Sequence, residues 1–173
     1  MINLNNGHTP LSPGGVSGGR TEYSECARLI EAVKKGLTGA GVIVTEGTGG
    51  YTRDGLLFIF HKGTSMKNAP KRGAEIFVPE NASAENQYNA YRLLSALCND
   101  NAFRYRGVHP LTGSSPFGAM RTLGNENAYL IKAGYIDFPR DNEIWDRECE
   151  HIASALSQEI MKIYKEKTNE NYS

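Results

Sequence analysis

The run Leu56-Leu57-Phe58-Ile59-Phe60 is the feature that most limits what this chain can become. Five consecutive large apolar side chains leave no polar face for water. Such a run suits a strand buried on both sides, at the centre of a sheet that other elements cover. Neighbouring segments read the same way. Residues 2–5 form a short first strand, Val42 to Val44 a second, Ala74 to Val78 a fourth and Tyr129 to Ile136 a last one. Between them lie helix-like stretches. Thr21 caps a helix from Glu22 to about Leu37 with the stripe Ala27, Leu29, Ile30, Val33 and Leu37. Ser83 caps a second to about Cys98, with Tyr88, Tyr91, Leu94 and Leu97 on its apolar side. A third starts at Arg140 or Asn142 and runs to about Tyr164. The alternation predicts a single-domain α/β fold, a mostly parallel twisted sheet flanked by helices. Residues 1–165 make the domain and 166–173 a polar tail. Residues 101–120 are rich in loop formers, and Thr45 to Gly55 is too short for a full crossover helix.

Lys plus Arg and Asp plus Glu are equal, 19 against 19. Phosphate binding needs a basic surplus, so nucleic acid is not the expected partner. No stretch is long and apolar enough for a membrane span, and no secretion signal is visible, which predicts a soluble product made in the cytoplasm. Cys26, Cys98 and Cys149 are odd in number and widely spaced, and they are expected as reduced thiols in helices. No phosphate-binding loop and no G-x-S-x-G elbow is present.

In parallel sheets, ligands sit beyond the carboxyl ends of the strands. His8 follows the first strand, His61 follows the apolar run, and Glu22 opens the first helix near the same edge. Two imidazoles and a carboxylate are a standard zinc set with one position left for water. Histidines hydrogen-bonded in loops remain an equal reading of the same spacing. His109, before Pro110, reads as a surface loop residue, His151 as a structural one in the final helix, and Trp145 as a packing anchor. The stretch from Lys62 to Arg72 reads as a solvated basic loop.

Several segments, in order, resemble the zinc-dependent N-acetylmuramoyl-L-alanine amidases of bacterial autolysins and phage endolysins (amidase class 3). They are Asn6-Gly7-His8, Thr21-Glu22-Tyr23, Phe58-Ile59-Phe60-His61, Arg72 to Phe77, Phe103 to Val108 and Asn127 to Asp137. The resemblance implies that His8, Glu22 and His61 bind Zn2+. It implies cleavage of the amide between N-acetylmuramic acid and L-alanine in peptidoglycan, by a monomer acting at the cell wall, reached in the phage case through a holin-made lesion. The family's catalytic glutamate falls at Lys132. Lysine acts as a base only with a strongly lowered pKa, and as an ammonium it stabilises an oxyanion. Glu75 on a neighbouring strand is the first substitute base, while Asp137 is expected to cap the last helix. The family's arginine-bearing helix between the second and third strands is missing, and its asparagine two places after the second histidine is Gly63. Two alternatives follow: a catalytically impaired, zinc-containing module that binds peptidoglycan, and a zinc hydrolase of a different amide.

Overall fold

A computed structural model describes residues 1–48, 55–65, 69–99, 103–112 and 125–170. In chain order the elements are β1 (Ile2–Asn6), β2 (Val16–Ser17), β3 (Arg20–Thr21), α1 (Glu22–Gly39), β4 (Val44–Thr48), β5 (Leu56–Gly63), β6 (Ala74–Pro79), α2 (Ala84–Cys98), β7 (Tyr105–Leu111), β8 (Ala128–Tyr135) and α3 (Pro139–Glu170). Six strands form one sheet in the order β4-β1-β5-β8-β6-β7, and β2 pairs with β3 in a small hairpin. Strands β4, β1, β5 and β8 are mutually parallel. Strand β6 runs against β8 and parallel to β7. The link 64–73 from β5 to β6 holds no helix among its described residues, whereas the parallel units β1-α1-β4 and β6-α2-β7 are joined through helical crossovers.

The apolar run behaves as expected: every residue of β5 is buried. Alternation sends its side chains to two different clusters. Phe58 and Phe60 join Ile2, Leu4, Ile76, Tyr129 and Ile131 under the helices, in a cluster that holds the buried apolar residues of α1, α2 and α3. Leu57 and Ile59 join Leu111, Ala128 and Leu130 on the other face, where no helix residue enters among those described. Among the described residues the helices pack on one side of the sheet, and the side chains of the other face are buried as well. The connection 45–55, expected to be too short for a helix on the second face, holds the strand β4; its residues 49–54 lie outside the described part.

Several sequence expectations are corrected. The second strand starts at Val44 because α1 is still ending before it: the Val42 amide donates to Leu37 O (3.3 Å) and Gly41 has φ +80°. Glu46 to Thr48 belong to this strand, not to a connection. On α2 the tyrosines face outward, Tyr88 63% and Tyr91 47% exposed, and Asn86, Asn89, Ala90, Leu93, Leu94 and Leu97 take the buried face. Within the region read as loop, Tyr105–Leu111 is the edge strand β7, and an edge is where a strand tolerates Pro110. The last helix continues to Glu170, through most of the stretch read as a tail; residues 171–173 lie outside those described. Cys26, Cys98 and Cys149 are free thiols, as expected. Among the described residues no helix is long and apolar enough to cross a membrane.

Lys62 is also corrected. It points into the helix side rather than into the basic loop, and it is 1% exposed. Its Nζ lies 4.3 Å over the Trp145 ring, donates to Asn142 Oδ1 (3.1 Å) and sits 3.8 Å from Glu25 Oε2. Burial pushes its pKa down, with Glu25 opposing. Trp145, fully buried against Phe103 and Lys62, is the packing anchor expected of it. Trp145→Ala is expected to cost about 3–5 kcal/mol. Urea denaturation followed by far-UV circular dichroism checks this, since the chain's single tryptophan is the residue removed.

Candidate metal and catalytic site

Strand β1 ends at Asn6, and the next two residues enter a turn that its side chain organises. Asn6 Nδ2 donates to Tyr23 O (3.0 Å) in the first turn of α1, and Asn6 Oδ1 accepts from the His8 amide (3.1 Å). Gly7 N donates to Phe60 O (3.0 Å), so the turn is also stitched to β5. Helix α1 starts at a fixed place because Thr21 and Ser24 form a reciprocal capping box. Glu22 is thereby the first helical residue, and it is buried. His61 sits inside β5, on the face opposite α1, α2 and α3, with its side chain 7% exposed.

These three residues converge. His8 Nε2 lies 3.1 Å from Glu22 Oε2, and His61 Nδ1 lies 3.7 Å from the same oxygen. The imidazoles meet edge-on with centroids 4.7 Å apart. One ligand atom from each of His8, Glu22 and His61 lies within 4.8 Å of the others. Glu22 Oε1 accepts from the Gly15 amide (2.9 Å) and the Thr64 hydroxyl (2.9 Å). Burial pushes the Glu22 carboxyl up; the bonds from His61, Gly15 and Thr64 and the charge of His8 outweigh it and hold the group at about 2. For His61 burial wins and its pKa falls, with Glu22 opposing, which favours the neutral imidazole that binds metals.

The donor set fits zinc: two imidazoles and one carboxylate, with the carboxylate oriented by outer partners. The space around it is kept by glycines. A Cβ on Gly7 would run into the His61 ring, and one on Gly14 would come 2.5 Å from His8 Nε2. One on Gly15 would come 2.7 Å from Glu22 Oε1 and collide with the Thr64 hydroxyl. Gly7, Gly14 and Gly15 therefore wall the cluster. Gly15 and Thr64 carry no motif in the sequence, and their one signal is position, Gly15 seven residues before Glu22 and Thr64 three residues after His61.

Next to this cluster lies a second, on the same face of the sheet. Lys132 is the cross-strand partner of His61 on β8, and Glu75 on β6 is the partner of Lys132. Lys132 Nζ lies 3.1 Å from Glu75 Oε1, which also accepts from the Tyr135 hydroxyl (2.7 Å). Glu75 Oε2 accepts from Arg106 Nε (3.1 Å), and His109 Nε2 lies 3.7 Å away. Burial raises the Glu75 carboxyl, but the bond from Tyr135, the charge and bond of Lys132 and the bond of Arg106 bring it to about 2. His109 is thus on an edge strand beside Glu75, not in a loop. Gly63 has a local reason: the Tyr135 ring lies against it, and a Cβ would come 2.5 Å from Tyr135 Cδ1. Asp137 is corrected as well. It does not serve the last helix; both its oxygens accept from the Ser65 amide (3.1 and 2.9 Å) and hold the chain after β5.

A carboxylate whose pKa falls from 4.5 unfolded to about 2 folded stabilises the fold above the unfolded value and loses that contribution as pH falls between the two. Glu75→Gln is therefore expected to weaken the rise of the melting temperature between about pH 2 and 4.5, measured beside the parent protein across that window.

The sequence matches no family model and no curated protein. Solved structures do match, over nearly the whole chain. An N-acetylmuramoyl-L-alanine amidase from Clostridium difficile 630 superposes with a TM-score of 0.75 at 15% identity, covering 93% of this chain and 94% of that one. An N-acetylmuramoyl-L-alanine amidase of Nostoc punctiforme gives 0.72 at 18% identity, with 95% and 97% covered. The catalytic domain of the CD27L endolysin, which targets Clostridium difficile, gives 0.72 at 19% identity, with 93% and 96% covered. At these identities the likeness is one of fold.

Proposed function

We propose that this chain is a zinc-dependent peptidoglycan amidase that cleaves between the lactyl group of N-acetylmuramic acid and L-alanine. The observation that carries the reading is the convergence of His8, Glu22 and His61 at the carboxyl ends of β1 and β5. The setting supports it, because the sheet and helices superpose on those of solved amidases. Likeness to an endolysin catalytic domain supports action at the cell wall; a monomer released through a holin-made lesion is part of the same proposal. A zinc ion held by the three residues would polarise the scissile carbonyl and lower the pKa of water beside it.

The chain's own residues divide the remaining work. Gly15 and Thr64 fix the rotamer of Glu22. Lys132, beside His61 on the same face, presents an ammonium to the negative charge that grows on the carbonyl oxygen. Glu75, ionised at about 2, is a weak proton acceptor, so it serves better as the positioning residue that aims Lys132 than as a substitute base. One observation favours a second reading, an impaired module that binds peptidoglycan. Lys132 stands where the resembled family has a carboxylate, and the carboxylate opposite it is already engaged by two cations and a phenol.

Mass spectrometry of N-acetylmuramoyl peptides incubated with zinc-loaded protein tests the proposal. Free N-acetylmuramic acid and a peptide with an L-alanine amino terminus are expected. Intact substrate with stoichiometric zinc would install the second reading. The glycine wall gives an independent check. Gly7→Ala forces the His61 ring to move and is expected to weaken zinc about 10–100-fold by direct titration, with the fold retained.

A further inference from the structure

We propose that Lys62 is a positioning residue for the metal site: from the opposite face of β5 it fixes the first turn of α1 against the strand and so sets Glu22 beside His61. The inference rests on the metal reading of the His8, Glu22 and His61 cluster, and it adds what holds that cluster from behind. His61 and Lys62 are consecutive on β5, and strand alternation sends their side chains to opposite faces. The Lys62 side chain is 0% exposed. An ammonium taken out of water costs stability, and an apolar chain of similar length would pack on Trp145 without that cost. The use of a buried ammonium here lies in its contacts.

Two of them lead to the site. Lys62 Nζ lies 3.8 Å from Glu25 Oε2, and Glu25 stands three residues after Glu22, in the same first turn of α1. Residues three apart are neighbours on a helix surface, so a fixed Glu25 fixes the rotation of the turn that carries Glu22. Glu25 Oε2 also accepts from Arg20 Nη1 (3.2 Å), which donates in turn to Asp146 on α3. The second contact closes a loop on β5. Lys62 Nζ donates to Asn142 Oδ1 (3.1 Å), Asn142 Nδ2 donates to Ile136 O (2.8 Å), and the Ile136 amide donates to Gly63 O (2.8 Å). That path begins and ends at adjacent residues, so the end of the strand is locked. His61 and Thr64 flank Lys62 and Gly63, and both meet Glu22. His61 Nδ1 lies 3.7 Å from its Oε2, and the Thr64 hydroxyl donates to its Oε1. Lys62 thus joins α1 and β5, the two elements that bring Glu22 and His61 together.

Lys62→Met tests this, because it keeps an unbranched chain over Trp145 and leaves Glu25 paired with Arg20. Direct titration with Zn2+ is expected to show binding weakened about tenfold, a size typical of losing an outer partner of a metal ligand. The melting temperature of the metal-free variant is expected to equal or exceed that of the metal-free parent, since a buried ammonium has gone. Glu25→Gln acts on the other side of the same contact. It is expected to weaken Zn2+ binding as well, and the double variant to lose no more than the larger single loss. Parent-like Zn2+ affinity in Lys62→Met, a loss matched by a fall in melting temperature, or losses that add in the double variant would overturn the positioning role and leave the metal site standing. If Lys62→Met does not fold, Glu25→Gln decides by the same two readouts. A parent protein that binds no Zn2+ removes the metal site and the positioning role together.

Discussion

His61→Ala is expected to abolish stoichiometric zinc binding and to lower amidase turnover by at least about a thousandfold. The size follows from what the site has to supply. Polarising a carbonyl and activating water is worth several kcal/mol, and each 1.36 kcal/mol is a factor of ten in rate. His61 is buried, shares Glu22 Oε2 with His8, and has no neighbouring imidazole to replace it except His8 itself. His8→Ala is expected to give the same loss. Metal content by atomic absorption and turnover on peptidoglycan check both, with far-UV circular dichroism to confirm the fold. Zinc retained at one per chain in both variants would sink the ligand assignment.

Lys132→Met is expected to lower kcat about a hundredfold while leaving zinc content and KM near those of the parent. Loss of one donor to a developing oxyanion typically costs a factor of that order, and an interaction made only in the transition state appears in kcat rather than in KM. Lys132→Glu discriminates between the two readings of the site. If Lys132 stabilises charge, this variant falls too, because it removes the ammonium and sets a second carboxylate directly opposite Glu75. If instead Lys132 marks a degenerate centre, restoring a carboxylate raises turnover, and the impaired-module reading prevails. Steady-state kinetics on a muropeptide resolve the two directions.

What was legible in the sequence shares a cause: it was local. The buried strand around Phe58, the helix capped at Thr21 and the last strand near Tyr129 each announce themselves by a contiguous pattern. The three residues His8, Glu22 and His61 were legible because each lies at the end of such a pattern. What was missed depends on pairing across the sheet. Nothing within residues 74–79 says that β6 runs against β8, and β7 hides its strand character behind Arg106, Gly107 and Pro110, as an exposed edge permits. Lys62 reads as part of a basic loop until packing brings Trp145, Asn142 and Glu25 around its ammonium. Glu75 reads as a spare base until Tyr135, Lys132 and Arg106, drawn from two other strands, occupy both its oxygens. For that reason the sequence brings out His8, Glu22 and His61 but not the partners that hold the carboxylate beside them.

The most direct test of the central claim is the release of L-alanine amino groups from purified peptidoglycan by zinc-loaded protein, with and without EDTA. The account predicts steady release that EDTA stops and added zinc restores. No release from several wall types, by folded protein with one zinc per chain, would contradict it.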